Sequence, residues 1–170
     1  MSKVYRIKYE QKIPVSLDTI WEFMSTPRSL AKITPPDVRM EMTGELDSEK
    51  MYAGQIIQYK LYPLLGIKMT WVTEITQVKE KEYFVDTQPF GPYSFWHHKH
   101  FFKEIAGGVL MTDIIDYKLP MGFIGRIINA LVVRKKLEKV FKHRFKAMEK
   151  LFGSFDYPSA THRTGAQSAD

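Results

Sequence analysis

The strongest constraint in this sequence lies between Tyr93 and Leu119, where two alternating runs flank Ala106-Gly107-Gly108. In the first run Trp96, His98, His100 and Phe102 recur with period two, so all four project from one face of a strand. In the second, Met111, Asp113, Ile115 and Tyr117 do the same. A two-residue turn at Ala106-Gly107 sets His100 opposite Asp113, His98 opposite Ile115 and Trp96 opposite Tyr117. A turn one residue later shifts the partners by two and keeps both sets on the same face. A wall that mixes large aromatics, two imidazoles and an acid suits the lining of a pocket better than a dry core.

At 170 residues without a cysteine, the chain is expected to be one domain whose core needs no disulfide, and it offers no thiolate metal site or thiol nucleophile. The first residues, from Met1 to Arg6, lack the apolar run of a signal peptide, and no stretch approaches the length of a bilayer span. A soluble cytoplasmic protein is expected. The formal charge of +6 is concentrated in one segment. Residues 126–150 carry nine Lys/Arg against Glu138 and Glu149, a net of +7, and the remainder carries 16 basic and 17 acidic residues, a net of −1. Such a segment can attract nucleic acid or an anionic membrane. Apolar residues interleaved at core spacing argue instead for a half-buried helix with a solvated basic face. With no nucleic-acid motif beside it, no nucleic-acid partner is expected.

Residues 4–13 alternate as a half-buried strand, with Tyr5, Ile7, Tyr9 and Ile13 on one side and Arg6, Lys8, Glu10 and Lys12 on the other. Ser16 offers an N-cap to a short helix over 17–24 that turns Ile20, Trp21 and Met24 inward. A second short helix over 27–32 stops before Pro35-Pro36. Strands follow over about 38–43, 54–62, 67–78, 82–88, 94–105 and 109–119, each separated by its own turn signal, which predicts an antiparallel meander. From Gly122 or Phe123 to Phe152 the period becomes that of a long helix, with Ala130, Val133, Leu137, Val140, Phe141, Met148 and Leu151 as its apolar stripe. Residues 1–152 are thus expected to form the domain and 153–170 a polar, mobile tail.

Strand, two short helices, six-strand meander and long C-terminal helix: this order resembles the START-like helix-grip (SRPBCC) superfamily, which includes the major birch pollen allergen, lipid-transfer domains and polyketide cyclases. The run from Phe84 through Asp86, Gln88, Gly91-Pro92, Trp96, His98 and His100 is similar to one bacterial ligand-binding branch related to polyketide cyclase/dehydrase-type proteins. So are Gly108, Asp113, the segment from Tyr117 to Pro120, and the segment from Phe141 to Arg144. The resemblance covers roughly residues 3–152. It implies an α+β fold in which a curved antiparallel sheet of about seven strands wraps the long helix around a cavity. Some relatives are fused to a sugar-nucleotide-epimerase-like domain, but no Gly-rich strand-to-helix fingerprint is present here.

In a meander, alternate connections fall at the same end. The loops at 62–66, 89–92 and 119–125 carry Leu64, Leu65, Phe90, Met121, Phe123 and Ile124, although loops are normally polar. Ile127, Ile128, Leu131, Val132 and Val133 then cover nearly the whole circumference of the helix start, before Arg134, Lys135 and Lys136. Leu65, Phe90, Met121, Phe123 and Ile127 are candidates for a cavity gate. The alternatives are tips that merely close the barrel, a homodimer or partner patch, and a membrane-surface contact.

Two imidazoles and a carboxylate can supply three ligands to a divalent ion, but no further ligand motif supports this, so neither metal nor cofactor is expected. His98, His100 and Asp113 are the candidate catalytic residues, with a His–Asp pair able to orient a general base and Tyr117 able to polarise a carbonyl. No serine stands in evident relation to them for a hydrolytic triad. Asp86 and Gln88 are expected to bond either the backbone of the following turn or a ligand, and Glu74, His97 and Lys99 to face outward; for Arg144 a surface position is favoured over pairing with an acid of the sheet. The reading favoured is a binding protein for a hydrophobic small molecule, lipid-, polyketide- or isoprenoid-like. Trp71, Trp96, Phe102, Met111, Ile115 and Tyr117 would line its cavity, and His98, His100 and Asp113 would hold a polar head. The alternatives are a cyclase or dehydratase using the same His/Asp group, and an interaction module docking through its apolar end.

Overall fold

The computed structural model describes residues 3–62 and 67–155, excepting the side chain of Arg126. Strand β1 (Tyr5–Ile13) leads into helices α1 (Leu17–Met24) and α2 (Ser29–Lys32). Ser16 caps α1 by accepting from the Thr19 backbone N–H, and Ile20, Trp21 and Met24 are its buried face. A 3-10 turn, Pro36–Val38, takes the start of the strand expected from residue 38, since consecutive prolines cannot join a ladder through N–H groups. That leaves β2 short, Glu41–Thr43.

The meander then runs through β3 (Ile56–Leu61), β4 (Met69–Lys79), β5 (Tyr83–Phe90), β6 (Phe95–Ile105) and β7 (Gly108–Lys118). All neighbours pair antiparallel in the order β1-β7-β6-β5-β4-β3-β2. Strand β1 crosses over to pair with β7. Gly108 is required at their junction, because a Cβ there would stand 2.1 Å from the Ile13 carbonyl oxygen. Register shifts in the β4–β5 ladder bend the sheet there.

Helix α3 (Gly122–Ile128), a π-helical turn (Asn129–Val133) and helix α4 (Arg134–Phe152) run on from one another across the concave face. The wide π turn changes which residues face inward. Asn129 and Val133 are buried and Ala130 is exposed, against the expectation that placed Ala130 in the core stripe. Leu151, also expected in the stripe, is exposed in the last turn. The inward line continues through Leu137, Phe141, Arg144 and Met148. Arg144 is 6% exposed, so the expected surface position is corrected: its spacing of three from Phe141 and four from Met148 keeps it on the buried face.

One tie between the layers is electrostatic. Lys136 and Lys139 of α4 both donate to Asp37 Oδ2, at 2.8 and 3.0 Å, and hold its carboxyl down at about 2. A carboxyl lowered on folding adds stability above its usual value of 3.8, and that share fades as the pH falls toward 2. Asp37→Asn is therefore expected to lower the urea midpoint slightly at pH 5, with wild type and variant converging by about pH 2. A difference that stays constant over this range would contradict the ion-pair origin.

Candidate functional site

The hairpin register is the one required to bring the polar residues together. His100 pairs with Asp113, His98 with Ile115 and Trp96 with Tyr117 around the turn at Ala106-Gly107. Strand β5 adds a group that hairpin reasoning left uncommitted. Phe84, Asp86 and Gln88 share the inward parity, with Phe84 opposite His100 and Asp86 opposite His98. Asp86 therefore faces the histidines. Gln88 accepts from the Tyr93 backbone N–H and so secures the turn into β6.

Three charged side chains, Asp86, Asp113 and Arg144, surround the two imidazoles. His98 Nε2 lies 3.0 Å from Asp113 Oδ1, and His98 Nδ1 lies 3.6 Å from Asp86 Oδ2. His100 stands between the same carboxylates, its Nε2 3.0 Å from Asp86 Oδ2 and its Nδ1 2.8 Å from Asp113 Oδ1. The two rings meet with centroids 3.7 Å apart, tilted by 41°. Trp96 Nε1 donates to Asp86 Oδ1 at 3.3 Å, and Arg144 Nη1 is 3.6 Å from Asp113 Oδ1.

Burial raises the cost of every charge in this group, and the neighbours decide which charges survive. It works against the ionised form of Asp113, yet the hydrogen bonds from His100 and His98 hold that carboxyl well below the usual range. Burial also opposes ionised Asp86, and the charges of His98 and His100 lower it all the same. Burial pushes His98 down, with the charge of His100 acting in the same sense. On His100 burial is outweighed by the two carboxylates, which raise it. Arg144 makes no hydrogen bond among the described residues, its buried Nε and Nη1 included.

Asp86, His98, His100 and Arg144 form one wall of a pocket of about 170 Å³ between the sheet, α2, the 3-10 turn and α4. The other walls are mostly apolar: Ile57, Leu61 and Ile75 from the sheet, Leu30, Ile33 and Val38 from the N-terminal segment, and Val133, Leu137, Val140 and Phe141 from the long helix. Trp71 and Trp96 meet edge-on at 5.1 Å, and Tyr93 packs beside both, making an aromatic corner that also lines the pocket.

The pocket lies nearer β3 to β5 than the hairpin pattern implies. Trp71, Trp96, His98 and His100 line it, as expected of their face, but Phe102, Met111, Asp113, Ile115 and Tyr117 do not. Helix α1 covers Phe102 and Met111, which pack with Ile20 and Trp21. The long helix covers Ile115 and Tyr117, which pack with Val133, Leu137 and Phe141, and the Tyr117 hydroxyl donates to Asn129 Oδ1 at 2.8 Å. Asp113 sits behind the histidines, 1% exposed on its side chain.

Of the gate candidates, Leu65 lies outside the described residues. Phe90, Met121, Phe123 and Ile127 are exposed, and none of them lines the pocket. Two residues of the polar wall were not placed there from the sequence: Asp86 was left between the turn backbone and a ligand, and Arg144 between an acid of the sheet and the favoured surface position. Strand parity with Phe84 and helical spacing from Phe141 were the signals available for them.

No protein-family model matches the sequence, and no curated protein matches it. Solved structures do resemble the fold. Protein CV1439 from Chromobacterium violaceum superposes with a TM-score of 0.66 at 12% identity, over 88% of this chain and 99% of that one. TTHA0849 from Thermus thermophilus gives 0.64 at 16% identity, over 86% and 95%. The major latex-like protein 151 of Panax ginseng gives 0.64 at 14% identity, over 88% and 97%. At these identities the likeness is one of architecture: the chain has the helix-grip fold, a seven-stranded antiparallel sheet wrapped on a long C-terminal helix.

Proposed function

We propose that this protein binds a hydrophobic small molecule in the pocket, with the apolar body against the aromatic corner and the helix and the polar end at His98, His100 and Arg144. The observation that carries this reading is the pocket itself, about 170 Å³ of space lined by apolar side chains except at one charged wall. Apolar burial at ~25 cal/mol per Å² would supply the affinity, less the cost of ordering the ligand. The class of molecule is lipid-, polyketide- or isoprenoid-like. Native mass spectrometry of the purified protein, followed by organic extraction, tests it. The expected result is a reproducible non-covalent adduct of a few hundred daltons; a bare mass together with no uptake of added apolar probes would overturn it.

A second reading has its own observation. Phe90, Met121, Phe123, Ile124, Ile127, Ile128, Leu131 and Val132 are between 37% and 65% exposed, at the end where the β5–β6 and β7–α3 connections lie. Arg134 and Lys135 follow them and are also exposed. Exposed apolar residues followed by basic ones suit an anionic bilayer surface. Sedimentation with phosphatidylglycerol vesicles is expected to carry the wild type down, and Phe123→Asp with Leu131→Asp to abolish this while leaving pocket binding intact. A wild-type protein that stays in the supernatant refutes this reading, and a dimer that the same substitutions dissociate reassigns the patch to a second copy.

A further inference from the structure

We propose that Asp86, His98 and His100 form a site for one divalent transition-metal ion of the zinc or ferrous class, open toward the pocket. One donor atom from each of the three lies within 4.8 Å of the others. The carboxylate that completes the set is Asp86, on the neighbouring strand, and not the Asp113 that the hairpin places beside the histidines.

The inference comes from how the imidazoles are oriented. Asp113 Oδ1 meets His98 Nε2 at 3.0 Å and His100 Nδ1 at 2.8 Å. His98 Nε2 hydrogen-bonds to this oxygen, which leaves a lone pair on His98 Nδ1, whereas His100 Nδ1 is close to it without a hydrogen bond and the ring bonds instead through Nε2. His98 Nδ1 and His100 Nε2 are the two nitrogens that face Asp86 Oδ2, at 3.6 and 3.0 Å. His98 Nδ1 and the Asp86 carboxylate thus face one another as acceptors in a buried place, which is unfavourable unless a cation stands between them. A proton on His100 answers one of the two contacts with Asp86; His98 Nδ1 is left facing a carboxylate oxygen. A metal ion answers both.

The surroundings are those of a ligand set. Metal-bound histidines characteristically give their other N–H to a carboxylate, the position Asp113 holds for His98 and stands 2.8 Å from for His100. Asp86 is oriented in turn, its Oδ1 accepting from Trp96 Nε1. Two nitrogens and one oxygen suit zinc or ferrous iron and leave further positions vacant. All three residues line the pocket, so those positions face it. With neutral imidazoles, Asp86, Asp113 and Arg144 sum to −1; a divalent ion brings the group to +1 and favours an anionic oxygen donor from the pocket. The proposal is independent of the hydrophobic-ligand reading, since the ion can be measured in the empty protein.

The test begins with chelator-treated full-length protein, titrated with Zn²⁺ by calorimetry and with Co²⁺ by visible absorption. The expected result is one ion per chain with micromolar or tighter affinity and a Co²⁺ d–d band. Asp86→Asn and His98→Gln should each weaken it at least 100-fold, Asp113→Asn by about 10–100-fold, and His143→Gln not at all. Should a variant fail to fold, the Co²⁺ wild type still decides the matter by proton NMR. Two solvent-exchangeable, paramagnetically shifted imidazole N–H signals are expected. Their absence, no saturable binding by folded wild type, or affinity unchanged in folded Asp86→Asn with His98→Gln overturns the site.

Discussion

Asp113→Ala is expected to lower stability by about 3–5 kcal/mol, the usual cost of removing one partner from a buried ionic group. For a chain of this size that is a fall in Tm on the order of 10 °C. The loss comes from what is left behind. Arg144 cannot shed its charge, lies almost wholly buried, and has Asp113 as its one ion-pair partner among the described residues. His100, by contrast, can lose its proton. The paired change Asp113→Leu with Arg144→Met should recover much of the loss, because no uncompensated charge is then buried. Thermal melts of the single and paired variants make the comparison. A cost below about 1 kcal/mol for Asp113→Ala would show that Arg144 does not depend on it.

The second large effect concerns the pocket. Trp96 presents its ring to the pocket and holds the edge-on contact with Trp71. If about a third of a buried aromatic's ~200 Å² faces the ligand, losing it removes roughly 1.5–2 kcal/mol, or about 10- to 30-fold in affinity. Trp96→Ala should therefore strip or weaken whatever is retained, and also soften the core next to it. Val140→Trp approaches the same pocket from the opposite side. Val140 lines it from the long helix and is half-buried, so an indole there occupies the ligand's space instead of enlarging it. Ligand uptake should be lost with little change in Tm. Retention of wild-type uptake by both variants would place the ligand elsewhere.

The two predictions depend on features of different legibility. The inward face of the hairpin was legible because strand alternation is local: once Trp96 points inward, His98, His100 and Phe102 must follow, and the turn sets their partners. The N-cap at Ser16 and the buried face of α1 are of the same kind. Alternation does not say which layer covers which part of the face. Phe102 and Met111 met α1, Ile115 and Tyr117 met the long helix, and only the part toward β3 to β5 was left open as a pocket.

Arg144 shows the limit from the other side. A charged residue on a basic helix reads as solvated, and only the acid it meets, 31 positions earlier in the chain, explains its burial. The π turn likewise exchanged Ala130 for Asn129 because a buried Tyr117 hydroxyl supplied the amide with a partner. By itself, then, the sequence determined the order of the strands and helices and the inward face of the hairpin, which follow from short-range periodicity and turn chemistry. The tertiary structure alone decided where the pocket opens and which charged and titratable groups meet at its wall, because those depend on how the bent sheet and the helix lie across one another.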